Sequence, residues 1–296
     1  MPASFIKHNG VWVRDRPDIK QGGTWKSAKP YVKLGGTWRP AWSDFTPGIF
    51  ATGAATQHLQ RSLGGINTQK WTYSLWVWAS GYASAAYSPP TWPTWAQKRF
   101  WDQNSTGLQI GVSTTNGGGY VYVRSVANGW ETRWHPLWSL RPVHTQKWMH
   151  LLFQIDTTQP VTGNRVKFFL DGAAVAYHPT LASTFPAFNA FVPVGSGSQP
   201  SLCCKQDNFV SVHRWAFIQG FFGAVIAPTQ VAFNWDGVWT HKPFVGSRSG
   251  LDFTLAGTGG FIAQDISGNN LTFTGVNMTA GANLSTFPSF LPPWIA

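Results

Sequence analysis

The chain has 296 residues, of which 11% are charged and 18 are tryptophan, and its formal net charge is +11. That length allows one large domain or two ordinary ones with a sizeable core, so stability does not require disulfides or a structural metal. The sequence shows no apolar span of about 18 residues and no secretion-type leader, so we expect a soluble protein, made in the cytosol, without membrane insertion.

The first 42 residues contain one short phrase three times, as IKHNGVW, IKQGGTW and VKLGGTW. Each copy places β-branched or aromatic residues on both sides of an Asn-Gly or Gly-Gly pair, which is the pattern of a tight hairpin turn. The repeat therefore predicts three small β-hairpins. Its shared lysine and tryptophan positions are Lys7, Trp12, Lys20, Trp25, Lys33 and Trp38.

These repeats suggest attachment to something larger. A hairpin of this size cannot bury a hydrophobic face of its own, so the units must pack on one another or on another surface. The same segment carries eight basic side chains against two acidic ones, and a basic surface attracts anionic partners. We interpret residues 1–44 as a module that attaches the protein to an assembly. The alternative is a lid that packs on the main domain of the same chain.

From residue 45 the repeat disappears, and short β-favouring runs are separated by turn residues. Strands are predicted at residues 70–80, 107–113, 119–126, 147–156, 165–172 and 221–227. Alternation divides the first of these strands into two faces, Trp71, Tyr73, Leu75 and Val77 on one and Thr72, Ser74, Trp76 and Trp78 on the other. The pattern predicts an all-β antiparallel sandwich with at most one short helix.

The passage WMHLLFQIDTTQPVTGNRVKFFLDG, residues 148–172, resembles the central signature of concanavalin A-like, laminin-G-type jelly-roll domains. Its DTTQ and NRVK motifs resemble those of this domain in structural proteins of tailed bacteriophages. The later segments FFGAVIAPTQVAF, GVWTHKPFVG, GLDFTL and DISGNN follow in the order found in those proteins. The resemblance covers residues 45–288 and implies a jelly-roll β-sandwich over residues 45–296. The Gly-Gly-Thr-Trp repeats are likewise similar to short repeats of virion and prophage proteins.

Enzymatic activity is not predicted. Glycoside hydrolases occur in this fold, and they usually place two carboxyl groups beside the bond that they cleave. The laminarinase relatives carry Glu-x-Asp-x-x-Glu on one strand, whereas this chain has a single glutamate, Glu131, and scattered aspartates in turn contexts. The sequence also lacks a Walker loop, a dinucleotide fingerprint, a Gly-x-Ser-x-Gly elbow and a His-Glu-x-x-His motif. Polysaccharide depolymerase activity remains an alternative.

Candidate metal ligands have simpler explanations. Cys203, Cys204 and His213 lack the spacing of a zinc site, and we interpret the two adjacent cysteines as buried thiols. Calcium occurs in relatives of the fold, and the possible oxygen ligands here are two pairs, Asp207 with Asn208 and Asp265 with Asn269. Turn formation by Asx residues explains both pairs more simply than calcium binding, which stays the alternative. We therefore predict no cofactor and assign no metal site.

Aromatic and basic residues concentrate in two tracts that we predict to bind a glycan. Aromatic faces can stack on the C–H surfaces of sugars, and a cationic rim favours acidic glycans. The candidates are Tyr87, Trp92, Trp95, Lys98, Arg99 and Trp101 in the first tract, and Trp130, Arg133 and Trp134 in the second. Two alternatives stay open, because such tracts also form interfaces with neighbouring subunits or pack in the core of their own chain.

Together these features predict a non-enzymatic virion structural protein, a spike, fibre or decoration of a tailed phage or phage-like particle. We expect it to contact other virion proteins through residues 1–44, to bind host cell-surface polysaccharide through its jelly roll, and to form a homo-oligomer. A purely architectural capsid or tail component is the alternative. Nucleic acid is not an expected partner, since the aromatic residues of the basic repeats are evenly spaced turn partners rather than a continuous stacking groove.

Overall fold

The structure is a computed structural model of the 296-residue chain. It describes side chains in residues 59–64, 66–77, 101, 107–111, 120–134, 149–194, 202, 218–232, 252–253, 255, 265, 267, 269 and 271–274, and elsewhere the backbone of the strands named below. The chain divides into two compact units, Met1–Thr46 with Phe287–Ala296, and Pro47–Thr286. The predicted functional division of the chain between residues 44 and 45 stays a prediction.

The strands of the first half of the chain are β1 (Phe5–His8), β2 (Val11–Arg14), β3 (Asp18–Gln21), β4 (Thr24–Ser27), β5 (Tyr31–Leu34), β6 (Thr37–Pro40), β7 (Phe45–Ala51), β8 (His58–Gln60), β9 (Asn67–Thr68), β10 (Lys70–Ala79), β11 (Arg99–Asp102), β12 (Leu108–Ser113), β13 (Tyr120–Ser125) and β14 (Trp130–Trp134). Those of the second half are β15 (Trp148–Asp156), β16 (Val166–Leu170), β17 (Ala173–Ala174), β18 (Val192–Pro193), β19 (Ser201–Cys204), β20 (His213–Phe222), β21 (Ala232–Trp235), β22 (Val238–His241), β23 (Phe253–Leu255), β24 (Thr274–Val276) and β25 (Leu284–Pro288).

In the first unit, β1 to β6 form three separate antiparallel pairs. Two residues separate the strands of each pair, as expected for tight hairpins. The three registers are equivalent, with Lys7 opposite Trp12, Lys20 opposite Trp25 and Lys33 opposite Trp38. The prediction of three hairpins is therefore confirmed.

The second unit is built around two large antiparallel sheets. Sheet I has eight strands, in the order β17-β16-β15-β10-β20-β7-β25 with β23 also paired to β20, and sheet II has seven, in the order β14-β13-β12-β11-β19-β8-β24. In the described part of the chain, helical structure is limited to α1 (Pro228–Val231) and a 3-10 turn at Thr162–Asn164. The predicted all-β antiparallel jelly-roll sandwich is confirmed. None of the helical elements described is long and apolar enough to cross a membrane.

The core lies between the two sheets, where alternate side chains of facing strands meet. Trp71 and Tyr73 of β10 pack edge-on against Trp101 of β11, with ring centroids 5.0 Å and 5.4 Å from the Trp101 ring. Trp134 of β14 packs edge-on against Phe168 of β16, with the ring centroids 5.7 Å apart. All four residues predicted for the first face of β10 belong to this core, so that prediction is confirmed.

The strand predicted at residues 221–227 is wrong in position. The observed strand, β20, ends at Phe222, and Gly223 adopts a φ of 74°, which residues with a side chain rarely adopt. The chain then leaves sheet I, and Ile226 donates its backbone N–H to Thr72 Oγ1 at 3.0 Å. The segment after Gly223 therefore covers the outer face of sheet I instead of extending a strand. The other five predicted strands correspond to β10, β12, β13, β15 and β16.

Candidate functional site

Three neighbouring strands of sheet II direct polar and aromatic side chains away from the core. In β13, Val121 and Val123 belong to the core, so the alternating residues point to the opposite side. In β14 the half-buried Glu131 and Arg133 alternate in the same way with buried residues. We name this surface the Arg–Tyr face, and its members are Gln109 of β12, Tyr120, Tyr122 and Arg124 of β13, and Glu131 and Arg133 of β14.

The strand register brings these side chains together. Arg124 lies opposite Gln109 on one neighbouring strand and opposite Glu131 on the other. Tyr122 lies opposite Arg133. Directly opposite residues of an antiparallel pair have Cβ atoms about 4.5–5.5 Å apart, which is within reach of long side chains. Residues from three strands therefore form one contiguous patch.

Arg133 is held by contacts on several sides. Its Nε donates to Glu131 Oε1 at 2.9 Å, its Nη1 donates to the Ala182 carbonyl at 3.2 Å, and its Cζ lies 5.1 Å from the centre of the Tyr120 ring. The hydrogen bond to Glu131 raises the pKa of Arg133 above its ordinary value, although partial burial acts in the opposite direction. The result is a permanently charged arginine whose charge is balanced by a carboxylate.

Arg124 sits on a similar platform with a different partner. Its Cζ lies 5.1 Å from the centre of the Tyr122 ring, the same distance as in the Arg133 and Tyr120 pair. Its Nε donates to Gln109 Oε1 at 2.6 Å. Gln109 is buried and uncharged, so it orients the guanidinium without balancing its charge. The two arginines therefore have similar geometry and different electrostatics.

The segment after β17 borders the Arg–Tyr face along β14. His178 donates its backbone N–H to the Arg133 carbonyl at 2.9 Å, and Thr184 donates its backbone N–H to the Glu131 carbonyl at 2.8 Å. The His178 ring lies edge-on to Tyr120, with the centroids 6.5 Å apart. These bonds fix the backbone that carries Arg133 and form one wall of the face.

Three of the rings predicted to stack on a sugar lie in the core, and this prediction is corrected. Trp101, Trp130 and Trp134 are at most 5% exposed and belong to the core between the sheets. In β14 the two tryptophans face inward because Glu131 and Arg133 occupy the alternating outward positions, where their charges reach solvent. The alternative of packing within the chain's own core describes these three rings.

The structure describes only two of the remaining predicted glycan-binding residues, Arg133 and the backbone of Arg99. Arg133 lies on the Arg–Tyr face, and Arg99 lies in β11, with only its backbone described. The others, Tyr87, Trp92, Trp95 and Lys98, lie outside the described residues. Their assignment to a glycan site stays a prediction.

Sequence reasoning missed most of the Arg–Tyr face. It assigned the run GYVYVRSV to a strand without separating its two faces. Alternation in that run places Tyr120, Tyr122 and Arg124 on one side and two valines on the other. That signal identifies the polar face of β13, while Gln109 has no comparable signal because it lies alone in an apolar strand.

Comparisons with known proteins add the following. No protein-family model matches the sequence, and no curated protein matches it. Among solved structures, a candidate carbohydrate-binding protein from Bacteroides ovatus is similar at 12% identity with a TM-score of 0.49, over 85% of this chain and 62% of that chain. The chain thus spans less than two thirds of the length of that protein.

Two animal proteins are similar at lower scores. The heptameric SAP-like pentraxin from Limulus polyphemus has 9% identity and a TM-score of 0.40, over 63% of this chain and 80% of that chain. Domains LG4-5 of the mouse laminin α1 chain have 13% identity and a TM-score of 0.35, over 68% of this chain and 52% of that chain.

The carboxylate of Asp265, a candidate calcium ligand, accepts hydrogen bonds from neighbouring residues of its own turn. The donors are the backbone N–H groups of Ser267 and Leu271 and the Ser267 hydroxyl, at 2.8–2.9 Å. Asp207 and Asn208 lie outside the described residues, and Cys203, Cys204 and His213 lie in strands at positions where only the backbone is described. Among the side chains described, no three His, Cys, Asp or Glu residues are grouped so that they could bind a metal ion.

A serine and a histidine meet at a second place, on the outer face of sheet I. Ser74 Oγ lies 2.9 Å from His150 Nε2, and Asp171 Oδ1 accepts the backbone N–H of His150 at 2.8 Å. Ser74 and His150 are fully buried, and burial lowers the pKa of His150 to about 3. A catalytic nucleophile needs access to its substrate, so this geometry describes a neutral polar contact inside the fold.

Proposed function

We propose that this protein is a non-enzymatic carbohydrate-binding protein that holds a glycan on the Arg–Tyr face. The observation that carries the proposal is the composition of this patch, in which two guanidinium groups sit over two tyrosine rings and each bonds to a carboxylate or an amide. Sugar hydroxyls donate and accept hydrogen bonds, so their recognition needs donors and acceptors at fixed positions. Arg124 and Arg133 supply donors, and Glu131 supplies an acceptor.

The face is arranged before any ligand arrives. Each guanidinium is oriented by one hydrogen bond from its Nε, 2.6 Å long for Arg124 and 2.9 Å for Arg133, and by the tyrosine ring beneath it. Side chains that are already ordered lose little conformational entropy on binding. This rigidity favours a binding site over a flexible charged surface.

The test is a binding assay with the full chain and a panel of bacterial envelope polysaccharides and uronic acid polymers, at about 0.15 M salt so that long-range attraction to the basic protein is screened. We expect saturable binding to at least one polysaccharide and at least about a 10-fold loss of affinity in the double variant R124Q/R133Q. Lys167 of β16 provides the control, because K167Q removes a positive charge from the other sheet. Absence of saturable binding to every member of the panel would contradict the proposal.

We also propose that the protein is a structural component of a tailed phage or phage-like particle, attached to other virion proteins through residues 1–44, displayed as a homo-oligomer and binding host polysaccharide. The supporting observation is the repetition of one hairpin with one lysine-to-tryptophan register three times. Such a repeat presents equivalent positions at regular intervals, which suits attachment to a regular assembly. The resemblance of the repeats and of residues 45–288 to phage proteins points in the same direction.

Particle incorporation tests the attachment role. We expect the full chain with Trp12, Trp25 and Trp38 all changed to alanine to be lost from purified particles while retaining polysaccharide binding. Incorporation at the wild-type level would show that the hairpins do not attach the protein. A particle protein that binds no polysaccharide would support the purely architectural alternative, and loss of polysaccharide viscosity on incubation would support the depolymerase alternative.

A further inference from the structure

We propose that the Arg–Tyr face selects glycans that carry a carboxylate, such as uronic acid polymers, and that Arg124 is the residue that binds this group. The inference rests on the proposed function, because it names the substrate class of the same surface. Its basis is the difference between the two arginines of the face.

Arg133 already has a carboxylate partner within the chain. Its Nε and Glu131 Oε1 form an ion pair at 2.9 Å, and its Nη1 bonds to a backbone carbonyl. Arg124 has the amide of Gln109 in the equivalent place. Two guanidinium groups against one carboxylate leave the face with one positive charge in excess. Glu131 also lies opposite Arg124 in the register, but its hydrogen bond goes to Arg133, so we locate the excess at Arg124.

The outer end of Arg124 is available to a ligand. Within the part of the chain that the structure describes, neither of its terminal nitrogens has a hydrogen-bond or ion-pair partner, and neither is a buried polar atom without a partner. Arg124 as a residue is half-buried, so its guanidinium is not fully enclosed by the described chain. A guanidinium presents parallel N–H donors that match the two oxygens of a carboxylate, and charge-assisted bonds of this kind are about twice as strong as neutral ones.

Gln109 acts as a positioning residue for this site. It is only 1% exposed, and its Oε1 accepts from the Nε of Arg124, so the hydrogen bond is protected from water. The Tyr122 ring supports the guanidinium from below. Together they hold the charge in one orientation, as a specific carboxylate site requires and a solvated surface arginine does not provide.

The experiment compares polymers that differ only in their carboxyl groups. Full-length protein is titrated with polygalacturonate, alginate and hyaluronan, and with the carboxyl-reduced form of each, in which the uronic acids have become neutral sugars. We expect at least one native polymer to bind about 10-fold or more tightly than its reduced form at about 0.15 M salt, as the loss of a charge-assisted hydrogen bond implies.

Three variants assign the effect to Arg124. R124Q is expected to abolish the preference for the native polymer, and R124K is expected to lose most of it, because lysine keeps the charge without the paired donors. K167Q removes one positive charge from sheet I and is expected to leave the preference unchanged. An equal loss in K167Q, or a preference that survives in R124Q, would overturn the proposal by showing that total charge governs binding.

A fourth variant tests why the arginines differ. E131Q removes the carboxylate that engages Arg133, so we expect native polymers to bind severalfold more tightly to this variant. Weaker or unchanged binding of native polymers to E131Q would show that the ion pair with Glu131 does not keep Arg133 from binding a ligand carboxylate.

The two proposals fail in different ways. If neutral polysaccharides bind saturably and acidic ones bind no better than their reduced forms, the carbohydrate-binding function stands and carboxylate selection is wrong. If no polysaccharide of either kind binds, the proposed function itself fails and this inference fails with it.

Discussion

The outer faces of the two sheets differ in what packs against them. On sheet I, Thr72 Oγ1 donates to the Ala224 carbonyl at 3.1 Å and Gln154 Nε2 donates to the Ile226 carbonyl at 2.8 Å, so the segment after Gly223 lies on the sheet. On sheet II, the Arg–Tyr face keeps charged side chains that are only partly buried, with Arg133 25% and Glu131 18% exposed. Both faces are polar in sequence. Among the described residues, the sheet I face bonds to a covering segment, whereas on the Arg–Tyr face Gln109, Tyr120 and Tyr122 are buried beside partly exposed charged side chains.

The difference teaches what separates a structural polar face from a functional one. On the covered face, Thr72 and Gln154 are uncharged, and both bond to backbone groups of the covering segment. Burying such groups is tolerated once each has a hydrogen bond, whereas burying charges costs far more. Charged side chains therefore keep partial exposure to solvent, as Glu131 and Arg133 do on sheet II, where a ligand can reach them.

The largest loss of folding stability is expected from a substitution in the core between the two sheets. Trp101→Ala removes a fully buried ring that packs against Trp71 and Tyr73, so we expect a loss of about 3–5 kcal/mol in the free energy of unfolding, measured in urea. Glycan affinity per folded molecule should not change. A stable variant with lost binding would place Trp101 in the ligand site after all.

A smaller effect is expected on the covered face. Gln154→Ala removes the bond to the Ile226 carbonyl and leaves that acceptor buried, which should cost about 1–3 kcal/mol of stability without changing glycan binding. Arg124→Gln is the matched variant on the open face, where we expect a stability change within about 0.5 kcal/mol and a large change in binding. If the two variants behaved alike in both assays, the distinction between the faces would be lost.

The smallest effect concerns pH and again involves the covered face. Burial lowers the pKa of His150 from its ordinary value of 6.5 to about 3, so protonation favours the unfolded chain. The stabilising effect is complete above pH 6.5 and is lost as the pH falls from 6.5 towards 3. We expect the free energy of unfolding to be about 1 kcal/mol lower at pH 5.5 than at pH 6.5 from this group alone.

Comparison with His150→Gln isolates that contribution, because the variant retains every other titrating group. We expect its stability to change less between pH 6.5 and pH 5.5 than that of the wild type. Parallel pH profiles would show that His150 is not buried in its neutral form.

Local pattern was sufficient for the three hairpins and for five strands of the second unit, β10, β12, β13, β15 and β16. Alternation in β10 identified its core face, and the paired glycines at each repeat identified the three hairpins, because side-chain direction and turn geometry depend on neighbouring residues. The wrong strand prediction for the run FFGAVIA, residues 221–227, also has a local cause. Its apolar residues continue past Gly223, although the positive φ of that glycine ends the strand.

The candidate site depended on contacts that local pattern does not contain. The sequence by itself determined that β13 is a strand, and its alternation separates Tyr120, Tyr122 and Arg124 from two valines. The strand β14, which carries Glu131 and Arg133, was not among the predicted strands. Only the tertiary structure decided that Trp101, Trp130 and Trp134 fill the space between the sheets, and that the segment after Gly223 packs on the outer face of sheet I. The physical reason is that burial of a strand face depends on which distant segment packs against it, as when Ile226 meets Thr72 across 154 positions of the chain.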